Sequence, residues 1–152
     1  MIASGFVATV FLDVWQLALN RLTGLPISNW SLTGRWFVQA SKGVFFHKAI
    51  AEKPEAPRER LIGWIGHYVV GIGYGFVYVP LLRELLQVEP GSWLNGLIFG
   101  IASVVVPWFF FMPAMGAGVM GRNTPNPLRA CLMSMASHIA FGLGLAAGVM
   151  IV

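Results

Sequence analysis

Four long apolar runs alternate with short polar segments along the chain. The runs lie at about residues 2–20, 61–82, 93–115 and 129–151, and each has at most one ionisable side chain in its interior. A helix needs about 20 apolar residues to cross about 30 Å of hydrocarbon. The pattern therefore predicts an all-α, polytopic integral membrane protein with four transmembrane helices in a single membrane domain, residues 1–152.

The first run is the weakest of the four candidates, because Asp13 interrupts it, and it has a competing interpretation as a secretory signal peptide. A signal peptide begins with a basic segment and ends at a cleavage site of small residues. Residues 1–5 contain no Lys or Arg, and Asn20-Arg21-Leu22 follows the run. We therefore expect this run to be the first transmembrane helix.

The segment 21–60 joins the first two predicted helices and mixes aromatic, aliphatic and basic side chains. A segment that lies in the membrane interface carries aromatic rings at headgroup depth and basic side chains directed to anionic lipid. We therefore predict an interfacial helical segment here, with His47 among its interfacial rings. The apolar side chains concerned are Leu25, Ile27, Trp30, Leu32, Trp36, Phe37, Val44, Phe45, Phe46 and Ile50.

The composition excludes a soluble domain, since 57% of the residues are hydrophobic and only 11% are charged, against about a quarter in soluble proteins. Nine of the ten Lys and Arg residues lie in the segment 21–60 or near the second polar loop, at Arg122 and Arg129, whereas the loop between them has only Arg83. The positive-inside rule predicts that both basic loops are cytoplasmic and that both termini lie outside. It also explains the net charge of +4 without a nucleic-acid partner.

Three ionisable side chains, Asp13, His67 and His138, lie inside the predicted helices. A rise of about 1.5 Å per residue places the first two about 10 Å, and His138 about 13 Å, from the cytoplasmic ends. Ionisable groups in hydrocarbon are costly and usually face the protein interior. Asp13 and His67 also recur at four-residue spacing with Gly and Thr, on stripes where helices approach closely. His138 lies on a helix with two such faces, one of them made of Ala136, Ala140, Gly144 and Gly148.

Several interpretations of these polar residues stay open. In the first, they form interhelical hydrogen bonds with each other, with backbone carbonyls, or with Thr9, Ser103 or Ser134. In the second, they form a proton or cation pathway, because imidazole titrates near neutral pH. In a third interpretation, two imidazoles hold a haem, or Asp13, His67 and His138 together hold a metal ion. The sequence itself requires no cofactor. Possible accessory residues are Arg35, His47, Glu59 and Arg122, of which Glu59 is most simply a first-turn charge stabilised by the helix dipole.

Short motifs of small, aromatic and polar residues are spread over nearly the whole chain: Gly5 with Ala8-Thr9 and Asp13, Gly34-Arg35-Trp36, Phe46-His47, Glu59 with Gly63-Trp64 and His67-Tyr68, Pro113-Ala114, Thr124-Pro125-Asn126-Pro127, and His138 before Phe141-Gly142. In combination they resemble the bacterial membrane proteins known as domain of unknown function 2938. The resemblance implies a small polytopic protein of the bacterial inner membrane. It implies no activity, so no residue receives a role from it.

The function that we expect is a transport or ion-handling component with a buried Asp/His/His site, in a homo-oligomer because four short helices enclose little volume. A membrane haem or metal redox protein and an assembly or scaffold protein are the alternatives. The chain lacks a Walker sequence, an HExxH pair and a GxSxG elbow, so an enzyme is not the expected class.

Overall fold

The computed structural model describes residues 1–151, which contain helices and turns and no β-strand. This confirms the all-α prediction. The helices are α1 (Ile2–Thr23), α2 (Trp30–Ala40), α3 (Glu59–Pro80), α4 (Trp93–Ser103), α5 (Met112–Met115) and α6 (Pro127–Ile151).

Four segments are long and apolar enough to cross a membrane: Ile2–Thr23, Glu59–Leu85, Trp93–Met115 and Pro127–Ile151. Each coincides with one of the predicted runs. Many of their large apolar side chains are exposed, among them Val14, Leu94 and Leu132. The protein is therefore a multi-pass membrane protein whose exposed apolar side chains contact lipid.

Proline interrupts two of these membrane segments. A π-helical turn, Leu81–Leu85, follows Pro80, and a second one, Pro107–Phe111, separates α4 from α5. Proline has no N–H to donate, and its ring clashes with the carbonyl of the preceding turn, so the helix widens or bends there. Pro107 thus interrupts the helix of the third segment.

The helices contribute to two compact units. The first comprises residues 1–28, 68–103 and 135–151, and the second comprises residues 29–67 and 104–134.

In the first unit, α6 packs through two faces. On one face, an added Cβ at Gly148 would lie 2.7 Å from Ser4 Cα of α1. On the other face, an added Cβ at Gly142 would lie 2.8 Å from Gly100 Cα of α4. The two faces predicted for the last helix are thus confirmed, and their neighbours are α1 and α4.

Helices α1 and α3 of the first unit meet along the two predicted stripes. An added Cβ at Gly5 would lie 2.5 Å from the Gly71 carbonyl oxygen, and one at Gly75 would lie 2.9 Å from the Gly5 nitrogen. Thr9 packs one turn further along α1, against Gly71. The contact moves back along α3 as it moves forward along α1, so the two helices are antiparallel. The Thr9 hydroxyl donates to the Gly5 carbonyl at 2.8 Å, which satisfies it inside this contact.

In the second unit, α2 forms within the predicted interfacial segment and folds onto the start of α3. Asn29 caps its first turn by accepting hydrogen bonds from the backbone of residues 31 and 32. Gly34 lies against the backbone of Glu59 and Gly63 so closely that no side chain would fit. Trp36, on the same helix, is only 7% exposed, although the sequence places it among the interfacial rings. Trp36 instead joins a core with Ile50 and Ala114.

Candidate functional site

The first intramembrane polar pair consists of Asp13 and Tyr68. The antiparallel contact of α1 and α3 continues by one turn to these residues, and the Tyr68 hydroxyl donates to Asp13 Oδ2 at 3.0 Å. Both side chains are half-buried. The Tyr68 ring also packs on Phe6, with ring centroids 5.5 Å apart. The carboxylate is therefore held on the protein side of α1, as the stripe of small residues predicts.

The position of Asp13 along its membrane segment is unusual for a carboxylate. Asp13 lies ten residues before Thr23, the last residue of α1, which corresponds to about 15 Å along the helix. That position is near the middle of the membrane segment, where a carboxylate needs hydrogen-bond donors because water is scarce. The pair therefore places carboxylate oxygens, which can bind a proton or a cation, inside the membrane segment.

The second polar pair of the first unit joins α4 to α6. The Ser103 hydroxyl lies 2.8 Å from His138 Nδ1 and donates to the Gly100 carbonyl at 2.9 Å. Since a hydroxyl has one proton, the bond to Gly100 leaves Ser103 to accept from Nδ1–H. Nε2 of His138 then carries the lone pair and can accept a proton. Ser103 was one of the partners that the sequence proposes, and the structure confirms it.

His67 lies in the second unit, in contact with two tryptophans. Its ring stacks on Trp30, with ring centroids 3.9 Å apart and an interplanar angle of 27°. Trp64 packs edge-on at 5.9 Å. The imidazole is half-buried, and π-faces attract imidazolium as they attract other cations.

The structure gives Asp13 and His138 different hydrogen-bond partners and places His67 in the second unit. Within residues 1–151, no three His, Cys, Asp or Glu side chains lie close enough together to hold a metal ion. A single site made by all three residues stays a prediction, and so does a haem between the two histidines.

Arg35 and Glu59 form a buried ion pair in the second unit. Arg35 is 5% exposed, and its Nε and Nη2 donate to the Glu59 carboxylate at 2.8 and 2.9 Å. Its Nη1 donates to the carbonyls of Ala51 and Lys53. The hydrogen bonds to Glu59 raise the pKa of Arg35, so the guanidinium stays charged. The role predicted for Glu59 as a helix-dipole charge is thus incomplete, because its main partner lies 24 residues away.

Beside this ion pair lies a cleft of about 590 Å³, lined by residues that include Asn29, Arg58 and Arg60. Arginine and glutamate side chains together line the cleft. Arg35, which is one of them, already uses its guanidinium in the hydrogen bonds to Glu59, Ala51 and Lys53.

His47 is not an exposed interfacial ring as its sequence context suggests, because the structure buries it to 7% exposure within the second unit. Its backbone N–H donates to the Ala114 carbonyl at 3.0 Å. Gly116, with φ +96°, lies so close to the segment after His47 that a Cβ added to Gly116 would lie 2.9 Å from Ala49 Cα. Nε2 of His47 is buried without a hydrogen-bond partner among residues 1–151. Arg122, the last of the predicted accessory residues, is exposed.

A family described as "Protein of unknown function (DUF2938)" matches residues 2–152. The chain belongs to this family. The chain is also similar to "Na(+)/H(+) antiporter NhaA" of Brucella ovis and of Brucella abortus, with 31% identity over 84 residues, or 55% of this chain. The aligned stretch covers only 21% and 11% of these two relatives. No solved structure matches.

Tyr68 is the functional residue that sequence reasoning missed in this DUF2938 chain. It lies three residues before Gly71 and seven before Gly75, so all three share one face of α3. A hydroxyl on the same face as a stripe of small residues is the signal that could have identified the partner of Asp13.

Proposed function

We propose that the protein is a proton- or cation-handling component of the bacterial inner membrane, in which Asp13 binds the cation. The observation that carries the proposal is the hydrogen bond from Tyr68 to Asp13 near the middle of a membrane-spanning helix. A carboxylate at that depth is expensive for folding, and such groups usually serve ion or proton pathways. The Tyr68 hydroxyl can hydrogen-bond the Asp13 carboxyl group in either protonation state, since a hydroxyl both donates and accepts.

The His138–Ser103 pair supports the same proposal with a second titratable group. The lone pair left on Nε2 is a proton acceptor inside a membrane-spanning helix. We assign to His138 the exchange of protons and to Asp13 the binding of the cation.

The similarity to Na(+)/H(+) antiporters is consistent with this function. Because the match covers a small part of those proteins, the transported ion and the coupling are part of the proposal. We further propose that the basic loops are cytoplasmic, that both termini are periplasmic, and that the working form is a homo-oligomer, since a few helices enclose little volume for a pathway.

The test is an ion-flux measurement on purified protein in proteoliposomes that contain a pH-sensitive dye. We expect wild-type protein to move protons in response to an imposed Na⁺ or pH gradient. Asp13→Asn should lower that flux by roughly tenfold or more, because the amide cannot exchange a proton. His138→Asn should change the pH dependence of the flux.

The matched control is Glu84→Gln, which removes an exposed carboxylate of the first unit and should leave the flux unchanged. Wild-type protein that carries neither protons nor Na⁺ would refute the proposal. So would folded Asp13→Asn and His138→Asn proteins whose fluxes match the wild type over the whole pH range.

A further inference from the structure

The loop that follows α2, residues 41–48, has a backbone that is fixed to the second unit. Trp36 Nε1 donates to the Phe45 carbonyl at 2.8 Å, and the His47 N–H donates to the Ala114 carbonyl at 3.0 Å. These two hydrogen bonds fix the backbone within and just after the apolar part of the loop to the second unit.

The apolar side chains of this fixed loop are directed outward. Val44, Phe45 and Phe46 are 44%, 48% and 61% exposed. Three consecutive exposed apolar residues on an ordered loop indicate a surface that contacts another apolar medium. By contrast, the neighbouring Trp36 is buried. The aromatic rings of this region therefore divide into one that belongs to the core and two, Phe45 and Phe46, that are exposed.

The position of Phe46 indicates that the apolar medium in contact with the loop is lipid. Its ring packs on Phe110, with ring centroids 5.9 Å apart. Phe110 is itself 41% exposed on the third membrane segment and lies five residues before Met115, where that segment ends. Five residues correspond to about 7 Å of helix. Phe46 is therefore level with a lipid-facing side chain and just inside the end of the membrane segment.

The charged residues beside the apolar side chains indicate which class of lipid the loop contacts. Lys42 and Lys48 flank the apolar side chains and are exposed. The second unit as a whole holds eight of the ten Lys and Arg residues but only three of the six acidic residues. We propose that residues 41–48 form a docking surface for anionic phospholipid, in which Phe45 and Phe46 enter the acyl boundary while Lys42 and Lys48 bind the headgroup phosphates. This surface is independent of the proposed ion pathway.

Lipid selectivity tests the charged part of this surface. In native mass spectrometry, purified protein should retain phosphatidylglycerol in preference to phosphatidylcholine. The variant Lys42→Gln/Lys48→Gln should lose about fivefold in apparent affinity for phosphatidylglycerol per lysine, and the loss should shrink at high salt. The control Lys53→Gln removes another exposed lysine of the same unit and should change little. Equal retention by wild type and the double variant would overturn the proposal, as would displacement of the lipid by inorganic phosphate alone.

Spin labelling tests the apolar part. A nitroxide at Val44→Cys, in a Cys131→Ser background, should collide with oxygen dissolved in the acyl region of vesicles of phosphatidylcholine and phosphatidylglycerol. A label at the exposed Glu52→Cys should instead collide with a water-soluble nickel chelate. If the Val44 label behaves like the Glu52 label, the loop is in water and the proposal is wrong. Shielding of the Val44 label from both reagents would show a protein neighbour instead and would also overturn it.

Discussion

Arg35 shows how much one residue can organise locally. Its guanidinium donates to Glu59 and to the carbonyls of Ala51 and Lys53. It thereby joins α2, the turn after the 41–48 loop and the start of α3. A buried arginine needs this complete set of acceptors, because removing the carboxylate leaves an uncompensated charge away from water.

We therefore predict that Glu59→Gln lowers the midpoint of thermal unfolding by roughly 5 °C or more. Guanidinium is always charged in proteins, so deprotonation of Arg35 cannot relieve the loss. Glu55→Gln is the matched control, since its carboxylate lies 3.8 Å from Arg35 and is 88% exposed. An exposed pair contributes little, and we expect a change of about 1 °C. Equal losses in the two variants, measured by tryptophan fluorescence in detergent, would contradict this assignment.

At the scale of elements, glycine determines which helices pack together. The close contacts of α1 with α3, of α1 with α6 and of α4 with α6 each bring backbone atoms to within a distance that excludes a Cβ. In lipid there is little hydrophobic driving force between helices, so such close packing and interhelical hydrogen bonds hold them together. The same contacts place Asp13 opposite Tyr68 and Ser103 opposite His138.

Gly5→Ala and Gly73→Ala provide a matched comparison of this packing. At Gly5 the new Cβ would lie 2.5 Å from the Gly71 carbonyl oxygen and 2.6 Å from Ile72 Cα, and backbone atoms cannot move aside without shifting a helix. We predict a destabilisation of about 1–3 kcal/mol. At Gly73 no atom lies within 4 Å, and alanine favours the helix by about 1 kcal/mol. Thermal unfolding should separate the two variants, and a Gly5→Ala protein as stable as Gly73→Ala would show that the α1–α3 contact is not tight.

At the scale of the whole molecule, the distribution of charge should determine orientation in the membrane. Most Lys and Arg residues lie in the segment before α3 and around the start of α6, and only Arg83 lies at the opposite loop. Basic loops are retained on the cytoplasmic side during insertion.

We predict that alkaline phosphatase fused after Val88 or after the last residue of α6 is active, because the proposed topology makes both positions periplasmic. Green fluorescent protein fused after Arg122 should fluoresce, since the proposed topology makes that loop cytoplasmic. Both fusion points at loops are exposed. An inactive phosphatase after Val88 together with an active one after Arg122 would invert the proposed topology.

The sequence by itself determined the membrane segments and the two packing faces of α6. Local residues also explain the interruption at Pro107 and the cap of α6 by Asn126, whose side chain accepts from the Arg129 N–H. These features depend on residues within a few turns of each other, so hydrophobic pattern and helical spacing are sufficient to find them.

Only the tertiary structure decided which polar groups meet. Asp13 and Tyr68 are 55 residues apart in sequence, Ser103 and His138 are 35 apart, and Arg35 and Glu59 are 24 apart. Equal depth in the membrane, which the sequence provides, does not fix the rotation of each helix or its neighbours. The rotation and the neighbours of each helix are set where backbone packs closely against glycine, and such contacts join distant parts of the chain. A contact of the same kind at Gly116 accompanies the burial of His47.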